Sequence, residues 1–67
     1  MTVAKIVELV GSSKKGWDDA IKETLKRSST TIRNIKGLDI VGQKAIVKDG
    51  KIEEYRVVLK VSFLVED

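Results

Sequence analysis

Tyr55, Val57, Leu59, Val61, Phe63 and Val65 alternate with Arg56, Val58, Lys60, Ser62 and Leu64. A period of two sends successive side chains to opposite faces of a sheet, so this stretch predicts a strand. Its first set should face a helix. Its second set is not cleanly polar, because Val58 and Leu64 belong to it. Just before it stands Asp49-Gly50, a strong signal for a tight hairpin. Leu38 to Val47 then reads as the preceding strand. There Leu38 and Ile40 alternate with Asp39 and Val41, and after Gly42 the apolar Ala45 and Val47 resume on the opposite parity. A change of phase at a glycine predicts a bulge or sharp bend. Val3 to Val10, mostly apolar and β-branched, predicts the first strand, and Gly11-Ser12-Ser13 stops it.

Between the first two strands the period changes. Trp17, Ala20, Ile21, Thr24, Leu25, Ser28 and Ile32 trace one face of a helix running from about Lys14 to Ile32. Ser12 or Ser13 is placed to cap it by accepting from the first free N–H groups. Asp18 and Asp19 suit the positive end of the dipole. Asp18/Lys22 and Glu23/Arg27 are i,i+4 pairs on the wet face. Ser28-Ser29-Thr30-Thr31 is a poor helix interior, so the last turns need outside support. Gly37 stands where the helix hands over to the second strand, and it is expected to take φ > 0 there.

These elements predict an α+β fold of order β-α-β-β in a single domain, residues 1–67, with an antiparallel sheet. One helix covers one face of a three-stranded sheet. Val58, Leu64, Val41 and the off-phase apolars of the first strand are then left on the far side, which marks an interface. Size sharpens that conclusion. A chain of 67 residues buries too little surface to be comfortable alone, and small domains compensate with disulfides, a metal or oligomerisation. This chain has 0 Cys and 0 His, so disulfides and the usual zinc ligands are excluded, and oligomerisation is the remedy left. The lack of Cys also fits a cytoplasmic protein.

Charge changes the picture little. Lys+Arg 13 against Asp+Glu 10 leaves +3, spread along the chain, and aromatics are 4%. Nucleic-acid binding wants a basic stripe interleaved with aromatics, so nucleic acid is not an expected partner. No apolar run approaches a membrane span, and the opening residues lack the pattern of a signal peptide. Gly11-Ser12-Ser13-Lys14-Lys15-Gly16 has the spacing of half a phosphate loop, but Trp17-Asp18 follows where Lys-Ser/Thr is needed. It reads as a glycine-bounded helix entry. Without His or Cys the common nucleophile–base pairs are unavailable, and the carboxylates show no metal-loop spacing. An enzyme is not expected. Trp17, the only Trp, is expected to pack in the core or against a neighbouring subunit.

Three stretches together resemble one known family. Val-Glu-Leu-Val-Gly-Ser-Ser followed by Trp17-Asp18-Asp19-Ala20 is similar to the opening of dodecins. So are Ile32 to Val41 and the ending Glu54-Tyr55-Arg56-Val57-Val58-Leu59-Lys60-Val61-Ser62-Phe63. The resemblance covers nearly the whole chain. It implies a sheet of order 1-3-2 curled round the helix, and a homododecamer forming a hollow shell. It implies a store or buffer for flavin (riboflavin or FMN), and in some members coenzyme A. It also identifies pocket positions: Lys36, Gly37, Gln43, Lys44 and Arg56.

Two of those positions depart from the family pattern. Flavin-binding members carry a stacking Trp where this chain has Gly37, and a hydrogen-bonding Gln where it has Arg56. Glycine offers no π face, and a guanidinium donates only. The expectation is therefore a dodecin-like binding or storage shell whose flavin affinity is weak or lost. The alternative is an oligomeric interaction module that takes anionic nucleotides, coenzyme A or a protein partner through Arg33, Lys36, Lys44 and Arg56.

Overall fold

The computed structural model describes residues 2–65 of the chain. Four elements follow in the order β1 (Ala4–Ser13), α1 (Trp17–Ser28), β2 (Ile35–Lys48) and β3 (Lys51–Leu64). The sheet is antiparallel with order β1-β3-β2, so the strand with the clearest alternation sits in the middle. A central strand is the one that must be paired on both edges and buried on at least one face. Val57, Leu59 and Val61 of β3 are fully buried, and with Ala20 of α1 they form the core. Trp17, Ile21 and Leu38 pack round them.

The helix is shorter at both ends than its apolar pattern predicts. It starts at Trp17, with Gly16 as its N-cap and no side-chain cap. Ser13 is used elsewhere: its hydroxyl donates to Asp19 Oδ2 at 2.6 Å and accepts from the Lys15 N–H at 2.9 Å. Neither Ser12 nor Ser13 caps the helix, because β1 runs on through Ser13 and holds both in the sheet. At the other end the hydroxyl run closes the helix. Ser29 and Thr30 donate to the Leu25 and Arg27 carbonyls at 2.7 Å, and Ser28 donates to Leu25 at 3.1 Å. These bonds satisfy the last carbonyls, which have no partner further along the helix. The expected side stays correct throughout: Trp17, Ile21, Thr24, Leu25, Ser28 and Ile32 are half-buried and Ala20 is buried. The i,i+4 pairs Asp18/Lys22 and Glu23/Arg27 do not close. Among the described residues the ion pair formed is Arg56–Glu54, at 3.4 Å.

The reversal into β2 is made by Asn34, at φ 62, not by Gly37. Asn tolerates the left-handed region because its short polar side chain bonds locally. Gly37 already lies inside β2, just past a register shift between Ile35 and Gly37. The phase change at Gly42 is a second register shift, between Ile40 and Gly42. Asp49 at φ 53 and Gly50 at φ 76 make a two-residue turn, as positive φ at both central positions requires. Val65 falls beyond β3 and is exposed, so the helix-facing set ends at Phe63.

The helix lies over β1 and β3 and leaves the other sheet face bare. Ile6 and Val10 of β1 are 60% and 67% exposed, and Val41 of β2 is 53% exposed. Gly11 has a special place where α1 crosses β1. A Cβ built there overlaps Thr24 Oγ1 and lies 2.9 Å from Thr24 Cβ. No helix of the described residues is long and apolar enough to cross a membrane.

Candidate functional site

The sheet face turned away from the helix carries most of the residues singled out by the sequence. Register places its side chains in rows across β1, β3 and β2. The first row is Ile6, Ser62, Gly37; the next is Glu8, Lys60, Asp39. Then come Val10, Val58, Gly42, and finally Ser12, Arg56, Lys44. Directly opposed residues on antiparallel strands share a face and lie within side-chain reach of one another.

Lys44 and Arg56 are therefore neighbours, with Ser12 on the other flank of Arg56. Gly37 belongs to the same face but stands six positions along β3 from Arg56, about 20 Å at the strand rise. One subunit thus does not bring Gly37 and Arg56 together. Lys36 lies in the register shift beside Gly37. Gln43 pairs with Val57 and so falls on the helix side, where it lines a recess with Lys15, Gly16, Trp17, Asp18 and Asp19. Trp17 anchors that end: its Nε1–H donates to the Lys44 carbonyl at 2.9 Å. Its ring meets Tyr55 edge to face, centroids 4.9 Å apart at 81°. This Trp is packed within its own subunit, consistent with a core role.

Glu54 was not singled out by the sequence. It sits two residues before Arg56, so the period of two puts both on one face, and that was the available signal. A hydrogen bond from the Ser12 side chain holds its carboxyl below the usual glutamate range. Burial works against this shift, and the charges of Arg56 and Lys14 add to it. A depressed carboxylate contributes stability that is present above its unfolded pKa and is lost as pH falls through its folded pKa. Glu54→Gln is therefore expected to match wild type below the depressed folded-state pKa, to fall below it as pH rises from there to the ordinary glutamate value, and to stay below it by a constant gap at higher pH. Chemical denaturation across pH 2–7 checks this, and a gap that does not grow with pH refutes it.

Among the described residues, no three or more His, Cys, Asp or Glu side chains cluster as metal donors. Nor does the face carry a nucleophile–base pair. What it offers is apolar surface, two small-residue hollows at Gly37 and Gly42, and a basic pair at one end.

A family model described as Dodecin matches residues 3–66. The Dodecin of Thermus thermophilus is 35% identical over 65 residues, covering 97% of this chain and 94% of the relative. A solved arginine-to-alanine variant of that dodecin superposes with a TM-score of 0.95 at 34% identity, and each chain is covered completely. Dodecin from Streptomyces davaonensis gives a TM-score of 0.94 at 29% identity over 98% of this chain and 97% of that one. Calcium dodecin of Mycobacterium tuberculosis is 33% identical over 64 residues, 94% of this chain and 89% of the relative. Its structure, described as that of a calcium-chelating antigen, superposes with a TM-score of 0.83 over 96% of this chain and 91% of that one, at 31% identity. A family match over nearly the whole length, together with the shared β-α-β-β subunit and its 1-3-2 sheet, places this chain in the dodecin family.

Proposed function

We propose that this protein is a cytoplasmic homododecameric binding and storage shell, without catalytic turnover, whose flavin site is weakened or lost. The observation that carries the assembly is the bare sheet face. Ile6, Val10 and Val41 expose more than half of their surface, while among the described residues the fully buried core side chains above alanine size are Val57, Leu59 and Val61. A domain with so small a core gains most by burying that face against copies of itself. Light scattering and native mass spectrometry are expected to give a particle of twelve subunits at neutral pH. A monomer or dimer at micromolar concentration refutes the assembly.

The ligand reading rests on Gly37 and Arg56. Gly37 supplies no ring to stack, and Arg56 supplies no acceptor and is engaged with Glu54. Riboflavin and FMN are expected to keep their fluorescence at stoichiometric protein, and tight quenching refutes the loss.

A second reading is favoured by the Lys44–Arg56 pairing across β2 and β3. These two, with Arg33 and Lys36 contributed through assembly, suit the phosphates of anionic nucleotides or coenzyme A. Phosphate-driven binding weakens as salt rises. Calorimetry with coenzyme A at low and high salt separates this reading from a shell with no small ligand.

A further inference from the structure

We propose that a hollow past the end of the helix, on the helix-facing side of the sheet, binds a small carboxylate with an apolar body, an aromatic monocarboxylate, through Lys5 and Arg33 over Phe63. The site is separate from the Lys44–Arg56 pair. It lies on the opposite sheet face, and Phe63 stands seven positions along β3 from Arg56, about 23 Å at the strand rise.

The frame is set by register and by the length of the helix. Lys5 of β1 and Ile35 of β2 flank Phe63 in one row. The helix stops at Ser28. Val57, Leu59 and Val61 are fully buried, whereas Phe63 at the end of the same series is half-buried. Ile32 and Arg33, from the segment after the helix, line a hollow of about 370 Å³ together with Lys5, Phe63, Leu64 and Val65. Backbone bonds hold its walls. The Ile32 N–H donates to the Ser28 carbonyl at 2.8 Å, the Leu64 N–H to the Asn34 carbonyl at 3.1 Å, and the Val65 N–H to the Val3 carbonyl at 2.9 Å. A hollow tied in this way exists before a ligand arrives, which lowers the ordering cost of binding.

The two cations have no other duty in the subunit. Lys5 and Arg33 are exposed, and among the described residues the ion pair formed is Arg56–Glu54. Cations beside a helix end commonly bond its last carbonyls. Here those carbonyls are already satisfied. Leu25 and Arg27 accept from the Ser29 and Thr30 hydroxyls, and Ser28 accepts from the Thr31 and Ile32 N–H groups. Nor does a cation cover Phe63, since the ring contact among the described residues is Trp17–Tyr55. Two positive groups thus border one hollow, and no described carboxylate lines it.

The lining selects the ligand. Lys5 and Arg33 call for negative charge, and a carboxylate accepts the strong, charge-assisted bonds they donate. Ile32, Phe63, Leu64 and Val65 offer apolar surface, which a bare phosphate, hydrated on every side, does not use. An aromatic carboxylate uses both halves, with its ring edge to face or offset against Phe63. The volume lies near the lower end of the ~300–1,000 Å³ typical of small-molecule sites, so it suits a single ring better than a nucleotide.

The test uses the full-length protein with para-fluorobenzoate as the probe, followed by fluorine NMR. The probe is expected to bind at least about tenfold tighter than para-fluorobenzamide, which has the same shape and no charge. Lys5→Gln and Arg33→Gln are each expected to weaken binding about fivefold or more, and the double variant to lose the preference for the acid. Both positions are exposed, so the variants keep the fold. Lys44→Gln with Arg56→Gln is expected to leave binding unchanged, which keeps this test apart from that of the other sheet face. A wild type that binds neither probe, or both alike, overturns the proposal. So does acid binding that survives loss of both cations, or displacement of the probe by an equal concentration of inorganic phosphate. Binding that arises only after Glu66→Gln and Asp67→Asn overturns it as well, because the chain's own carboxylates then compete for the two cations.

Discussion

Gly11→Ala is expected to lower the midpoint of thermal unfolding by on the order of 10 °C at fixed protein concentration. The reason is local and steric. β1 passes under α1 so closely at Gly11 that an added Cβ overlaps the Thr24 hydroxyl oxygen. That oxygen is not free to swing away without loss, because its hydroxyl donates to the Ala20 carbonyl at 2.7 Å. The Thr24 Cβ, 2.9 Å from the same point, belongs to the stem of the side chain and moves only with the helix. Overpacking of this kind costs about 1–3 kcal/mol, a large share of what a domain this small possesses. The displaced helix also carries Ala20 and Trp17, which close the core over Val57 and Leu59. Thr24→Ala in the same chain removes the hydroxyl but not the Cβ, so it should recover part of the loss. Differential scanning calorimetry of the single and double variants reads both effects. An unchanged midpoint for Gly11→Ala, or no recovery in the double variant, contradicts this account of the crossing.

Gly37→Trp combined with Arg56→Gln is expected to create flavin binding at least about tenfold tighter than wild type. A stacked aromatic pair gains ~0.5–1.5 kcal/mol beyond the area it buries, and 1.4 kcal/mol corresponds to a factor of ten. The fold has room for the change. Gly37 is not among the residues with positive φ, so a Trp backbone is unstrained there. A Cβ at Gly37 meets the Ser62 hydroxyl oxygen at 2.8 Å. That atom ends a rotatable side chain and can turn aside, unlike Thr24 at the helix crossing. Arg56→Gln adds an acceptor and releases Glu54 from its 3.4 Å ion pair. Titration of riboflavin fluorescence on wild type, both single variants and the double variant reads the gain. A double variant that assembles like wild type yet quenches no better refutes the assignment of the two pocket positions. Gly37→Ala serves as the control, since it adds bulk without a ring.

The two glycine predictions separate what pattern reveals from what packing decides. The helix face was legible because 3.6-residue periodicity is local, and Trp17 to Ile32 obey it even where the helix itself has ended. Its ends were not legible in the same way. Ser13 looked like a cap, but pairing with Tyr55 keeps β1 going through it. Gly37 was expected to take the left-handed turn. A glycine permits positive φ without demanding it. Only the position at which β2 begins to pair with Phe63 assigned the turn to Asn34.

The candidate site divides likewise. Arg56 and Lys44 could be named from the sequence, but their adjacency is a fact of register. So is the distance that keeps Gly37 away from Arg56 in one subunit. The charge row of Glu8, Lys60 and Asp39 draws on three strands, and each member alone reads as ordinary surface charge.

By itself, the sequence determined the element order, the tight turn at Asp49-Gly50, the helix-facing side of β3 and the apolar residues left on the far sheet face. Periodicity, turn chemistry and the lack of Cys and His are properties of short segments or of composition, so they need no tertiary information. The tertiary structure alone decided which residues meet across strands, which glycine is held by close approach, and where the unpaired charges gather. Those depend on register and on the height of one helix above one strand. A shift of one residue in either leaves the local pattern almost unchanged and rearranges every contact.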